Sequence, residues 1–206
     1  MKHLKTLGLA ILAILAVSAL SGAASASAAE FHASAVGLSL HGEQKSSHKF
    51  TVTGSSITCT TATFTGTTAA LNTTTQKMHP SYSGCTAFGF VGATVKTEGC
   101  QYIFHTGTGT VDLEECTNGG IVVEASSAFG KCVMDTPNQT GINNQSWTTE
   151  GESPNRDILS TSNATNVKVK VTTSTGICPL TVGEHTNGTY TGTTTVKATG
   201  GEVWYS

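Results

Sequence analysis

Val167-Lys168-Val169-Lys170-Val171 decides the fold. In an extended chain, successive side chains point to opposite faces, so the three valines share one side and the two lysines the other. That is a half-buried strand, and the same period recurs on either side of it. Lys49-Phe50-Thr51-Val52-Thr53 is β-rich and stops at Gly54. Ile57 to Thr65 stops at Gly66, with Ile57, Cys59, Thr61 and Thr63 expected on one face and Thr58, Thr60, Ala62 and Phe64 on the other. Cys100, Tyr102 and Phe104 alternate with Gln101, Ile103 and His105, and Val111-Asp112-Leu113 alternates again. Ile121-Val122-Val123 follows the turn signal Asn118-Gly119-Gly120, Thr189 to Ala198 follows Asn187-Gly188, and Val203-Trp204-Tyr205 reads as a short last strand. Helical periodicity is nearly absent beyond residue 30. About ten short strands separated by Gly, Asn and Pro predict an all-β fold, an antiparallel β-sandwich or barrel rather than a parallel sheet.

The N-terminus has a different character. Lys2, His3 and Lys5 precede an apolar run from Leu7 to Leu20, followed by the small residues Ser21 to Ala29. Charge, apolar run and an Ala-x-Ala site (Ala26-Ser27-Ala28 or Ser27-Ala28-Ala29) are the order of a secretory signal peptide. The apolar run, about 14 residues, falls short of the ~20 needed to span a bilayer. The expected organisation is a cleaved leader over residues 1–29 and one all-β domain over 30–206, secreted or held in the cell envelope, with no membrane span after cleavage.

Composition narrows the function classes. Charged residues make up 12% of the chain, about half the usual share, with Thr, Ser, Gly and Asn in their place. With Lys2 and Lys5 in the leader, nine basic residues face 13 acidic ones. Such a surface carries no electrostatic footprint for nucleic acid. All six cysteines lie beyond the leader; an even count in an exported chain implies disulfides, and the absence of Cys-x-x-Cys argues against a zinc ribbon or a redox motif. Six cysteines permit 15 pairings. The sequential one, Cys59–Cys85, Cys100–Cys116 and Cys132–Cys178, is the expected choice because neighbouring strands tend to be sequence neighbours.

Three segments together, Ser56-Ile57-Thr58-Cys59 through Phe64, Pro80-Ser81-Tyr82-Ser83-Gly84-Cys85-Thr86, and Glu98-Gly99-Cys100-Gln101-Tyr102-Ile103-Phe104, resemble a group of secreted bacterial all-β proteins that share a cysteine framework. The resemblance implies export and an all-β fold, and it brings no activity with it.

No catalytic constellation stands out. The histidines form no His-Glu-x-x-His pair, the three aspartates beyond the leader (Asp112, Asp135, Asp157) are too scattered for a calcium loop, and no Gly-x-Ser-x-Gly elbow occurs. Ser46-Ser47-His48-Lys49 matches Ser-x-x-Lys without its partner motifs. His105 would lie near Asp112, Glu114 and Glu115 if residues 100–105 and 111–116 form a hairpin, a geometry that reads as an exposed strand histidine opposite acidic neighbours before it reads as a base pair or half a metal site. No metal or cofactor is expected. The least regular stretch, Pro137 to Asn155, is expected to be long loops around one strand near Ile142–Trp147, and long loops are often binding elements. Trp147 with Asn143, Asn144 and Gln145 is the candidate ligand site, an aromatic face beside amides as a sugar site requires. The leading expectation is a non-enzymatic exported β-domain acting by surface contact with a cell-wall or extracellular glycan or a secreted protein. A carbohydrate-binding module is the alternative, and a small secreted hydrolase a third.

Overall fold

The structure, a computed structural model, describes residues 29–206; apart from Ala29, the expected leader lies outside them. The described chain forms fifteen strands: β1 (Phe31–Ala33), β2 (Ser39–Val52), β3 (Ser55–Thr67), β4 (Asn72–Thr73), β5 (Thr75–Ala87), β6 (Val91–Lys96), β7 (Gln101–His105), β8 (Thr110–Glu114), β9 (Gly120–Ser127), β10 (Gly130–Pro137), β11 (Gln139–Ile142), β12 (Gln145–Glu150), β13 (Asp157–Ser174), β14 (Gly183–Ala198) and β15 (Val203–Tyr205). Every pairing is antiparallel. The order β5-β3-β2-β14-β13-β10-β9-β6 closes when β6 pairs back onto β5, giving an eight-stranded barrel. Of sandwich and barrel, the chain adopts the barrel, and closure removes the exposed edges that an open sheet would present.

The strands are not short. β2, β3, β5, β13 and β14 run for 14, 13, 13, 18 and 16 residues. Gly66 and the Asn187-Gly188 pair, expected as breaks, lie inside β3 and β14. They are tolerated there because the barrel backbone approaches closely. A Cβ on Gly66 would sit 2.6 Å from the Lys77 carbonyl, and one on Gly188 would sit 2.5 Å from the Val167 carbonyl.

Length lets the barrel fork into two storeys. The C-terminal part of β5 (Cys85–Ala87) pairs with β6, while its N-terminal part (Thr75–Met78) pairs with β7. β13 divides likewise: its end near Lys170–Ser174 pairs with β10, and Asp157–Ser162 with β12. One storey holds the core of Val52, Ile57, Ala87, Val123, Met134, Val169 and Val171. The other holds Leu40, Ala62, Phe64, Met78, Trp147 and Ile158, covered by Phe31, Ala33 and Val203 from the small sheet β15-β1-β4.

At the junction the inward-facing phase of the strands changes. In β3 the buried residues are Ile57 and Cys59, then Ala62 and Phe64. The single-face reading of Ile57 to Thr65 is therefore corrected: the first two point inward from one phase and the last two from the other. β5 shifts beside it, between Pro80 and Cys85, at Gly84 (φ +60°). β13 shifts between Ala164 and Val167, where the register slips at Asn166 (φ +58°). A slip of one residue exchanges the two faces of a strand. Here it keeps both storeys apolar along one continuous wall.

Three disulfides staple this frame: Cys59–Cys85 across paired strands, Cys100–Cys116 across the ends of the β7–β8 hairpin, and Cys132–Cys178 from β10 to the β13–β14 connection. Three disulfides fit an oxidising, extracellular setting, and no helix of the described residues is long and apolar enough to cross a membrane.

Candidate functional site

The long strands leave space at the junction. A space of about 100 Å³ lies there, lined by Phe50, Ile57, Phe64, Phe104, Leu113 and Val123 together with the small residues Ser160, Ser162, Ala164 and Gly192. A second space of about 60 Å³ shares Phe64, Phe104, Ser160 and Thr194 with the first and reaches Phe31, Trp147 and Val203. Neither lining contains a Lys, Arg, Asp or Glu.

A single polar thread crosses the first cavity. His48 is 4% exposed. It belongs to the inward series His48, Phe50, Val52 of β2, two residues apart each time, and its Nδ1 lies 2.5 Å from the Tyr190 hydroxyl. Tyr190 and Tyr82 hydroxyls are 2.8 Å apart, and Tyr82 and Tyr102 hydroxyls 3.2 Å. At the other end His48 Nε2 lies 3.1 Å from Thr194 Oγ1. The rings are held by aromatic contacts: His48, Tyr82 and Tyr102 all pack around Phe64, with centroids 5.5, 6.1 and 6.3 Å away. Gly192 makes room for the imidazole, since a Cβ there would stand 2.6–2.7 Å from three atoms of the ring.

Burial sets the electrostatics. It pushes the hydroxyls of Tyr82, Tyr102 and Tyr190 well above the ordinary phenol range. It lowers the His48 pKa, against a smaller opposing hydrogen bond to the Thr193 backbone. Desolvation disfavours every charged form, so the thread is neutral at physiological pH. A depressed histidine pKa in the folded state means that the unfolded chain takes up the proton first. The His48 contribution to stability is therefore complete above its unfolded pKa of about 6.5 and is lost as pH falls from there toward the folded value. The expected result is a melting temperature that drops on acidification below about pH 6.5, with a shallower drop in His48→Gln. Parallel curves for the two proteins would remove His48 as the cause.

The residues named from sequence are placed differently from their expected setting. Pro137–Asn155 holds two strands, β11 and β12, not loops around one. Trp147 stands in β12, 6% exposed, edge-on to Phe31 and Phe104 at 5.3 and 6.3 Å. Its ring faces the second cavity rather than solvent, because β12 pairs with β13 and turns it into the core. Gln145 is buried, lines the first cavity and donates from Nε2 to the Asn143 carbonyl at 2.9 Å. Asn143 Oδ1 accepts from the Thr165 backbone N–H and hydroxyl at 3.0 and 3.2 Å, and Asn144 adopts φ +57°. These two asparagines build the corner between β11 and β12. Trp204 is covered by the Arg156 guanidinium, 3.6 Å from the ring centroid, and stacked by His32 at 5.2 Å. The aromatics that do face solvent are Phe90 and Phe129, on the β5–β6 and β9–β10 turns.

The β7–β8 hairpin brings His105 Nε2 to 2.9 Å from Asp112 Oδ2. Asp112 Oδ1 also accepts from the Gly141 N–H at 2.6 Å, tying β8 to β11. Neither residue lines either cavity. Ser46-Ser47-His48-Lys49 lies within β2, not on a helix. Among the described residues no three His, Cys, Asp or Glu side chains cluster as metal ligands would. The thread of His48, Tyr82, Tyr102, Tyr190 and Thr194 went unread in the sequence. Its one local signal is the alternation His48, Phe50, Val52, visible when the strand is begun one residue before Lys49.

Comparison of the chain with protein-family models, with curated proteins and with solved structures finds no match.

Proposed function

We propose that this is an exported, non-enzymatic binding protein that holds a small, uncharged, mainly apolar molecule inside its barrel. The observation that carries this reading is the interior cavity of about 100 Å³ with an apolar wall, no ionic group and a single hydrogen-bonded thread across it. Apolar lining with a few placed polar groups is the usual constitution of a small-molecule site. Close packing is the rule in protein interiors, so a space lined by Ser160, Ser162, Ala164 and Gly192 together with large aromatics is a feature that a carrier would use. A dry cavity of about 150 Å³ in another protein admits benzene, a scale that the two adjoining spaces of about 100 and 60 Å³ reach only together.

The test is titration of the oxidised protein with toluene, followed by calorimetry and by amide and methyl NMR shifts. Saturable binding with shifts confined to residues around the cavity is expected, and Ser162→Leu, which fills part of the same space, should weaken it roughly tenfold, about 1.4 kcal/mol. Absence of saturable shifts in the wild-type protein would overturn the reading.

A further inference from the structure

The polar thread says more about the occupant than the size of the cavity does, and the identity of that occupant rests on the reading of the cavity as a binding site. Thr194, His48, Tyr190, Tyr82 and Tyr102 form a row joined at four contacts. Neutral imidazole carries one N–H and one acceptor nitrogen, and each hydroxyl carries one proton. Two proton arrangements satisfy every link. In the first, Tyr102 donates to Tyr82, Tyr82 to Tyr190 and Tyr190 to His48 Nδ1, while Nε2–H donates to Thr194. In the second all directions reverse, with Thr194 donating to Nε2 and Nδ1–H to Tyr190. The first leaves Tyr102 with open acceptor capacity and the second leaves it with an unspent O–H. In either case one valence stays open at each end of the row, at Thr194 and at Tyr102, and the Tyr102 end lies beside Phe64 and Phe104. Tyr102 has a single partner, Tyr82, and a hydroxyl can both donate and accept, so an occupant with a hydrogen-bonding group gains a contact there.

We infer that the ligand is a small neutral alcohol or phenol whose hydroxyl completes the hydrogen-bond row at Tyr102. A hydroxyl both donates and accepts, so it matches either arrangement. An ether or ketone only accepts and matches one. A carboxylate or ammonium group would enter a lining that holds no countercharge, at a large desolvation cost. The ring or chain of the ligand lies in the space lined by Phe104 and the small residues of β13.

The experiment compares phenol, anisole and toluene on the oxidised wild-type protein by calorimetry, and repeats the series on Tyr102→Phe, with far-UV circular dichroism to check folding. Phenol should bind at least about tenfold more tightly than toluene or anisole. Tyr102→Phe should bring phenol down to the level at which the same variant binds toluene. Equal affinity for the three compounds in the wild-type protein would overturn the hydroxyl assignment and leave the apolar cavity standing. Failure of all three to bind would overturn both. If Tyr102→Phe folds poorly, the wild-type comparison alone decides. A phenol preference that survives intact in a folded Tyr102→Phe protein would overturn Tyr102 as the contact.

Discussion

Replacing Cys132 and Cys178 together by alanine is expected to lower the unfolding free energy by about 4 kcal/mol. The bridge closes a loop of sequence separation 46, the longest of the three, against 26 and 16 for the others. In the chain-entropy treatment the loss grows with the logarithm of loop length. The Cys132–Cys178 bridge therefore contributes most, and the other two about 3–3.5 kcal/mol each. The location adds to the argument. Cys132 is fully buried in β10 opposite Ser174 at the end of β13, and Cys178 ties the β13–β14 connection to that end. Domains of this kind have total stabilities of about 5–15 kcal/mol, so full reduction of all three bridges should bring the protein close to unfolding at ambient temperature. Urea denaturation of the double variant and of the reduced protein checks both statements. A midpoint for the double variant equal to that of the wild type would show that the entropic gain from this bridge is cancelled, by its cost in the folded state or by residual structure in the unfolded chain.

Gly192→Val should destabilise the fold by about 3 kcal/mol and dismantle the polar thread at the same time. A Cβ alone would meet His48 Nδ1, Cε1 and Cγ at 2.6–2.7 Å, and a branched side chain cannot rotate out of the way. Forcing extra carbons into a packed interior costs about 1–3 kcal/mol. Removing a glycine from a strand returns only about 0.4–1 kcal/mol through the unfolded chain, so the clash wins. The imidazole would have to leave Tyr190 and Thr194, breaking both of its side-chain hydrogen bonds in the row. The double variant Gly192→Val/His48→Ala should recover part of the loss, because the two residues contend for one space and their effects are not additive. Additive losses in the double-mutant cycle would show that Gly192 matters for a reason other than seating His48.

The range over which each feature is encoded decides how much of it was legible. Val167 to Val171, Val111 to Leu113 and Ile121 to Val123 announce strands because burial on one face needs only a period of two within a few residues. The β7–β8 hairpin was legible for the same reason, whereas Asp112 as the partner of His105, among Asp112, Glu114 and Glu115, was not. Strand length was not. Thr, Ser, Asn and Gly read as interruptions in isolation, yet Gly66, Gly188 and Gly192 sit inside strands because a neighbouring backbone or ring occupies the volume their side chains would need. Trp147 read as an exposed loop aromatic because its neighbours Asn143, Asn144 and Gln145 are polar; pairing of β12 with β13 turns the ring inward, and nothing in the local sequence encodes that partner.

The sequence by itself determined the all-β class and, through an even set of cysteines beyond an apolar N-terminal run, the expectation of an oxidised exported domain. These are properties of composition and of short-range alternation. The tertiary structure alone decided that the sheet closes into a barrel, that β5 and β13 fork into two storeys, and that the inward phase of β3, β5 and β13 changes at the junction. It alone brought His48, Tyr82, Tyr102 and Tyr190 together, from positions up to 142 residues apart. The physical reason is that a face assignment propagates along a strand only until the register slips. Where it slips is set by which backbones lie opposite, as Gly84 lies against Thr60, and that opposition exists only once the barrel has closed.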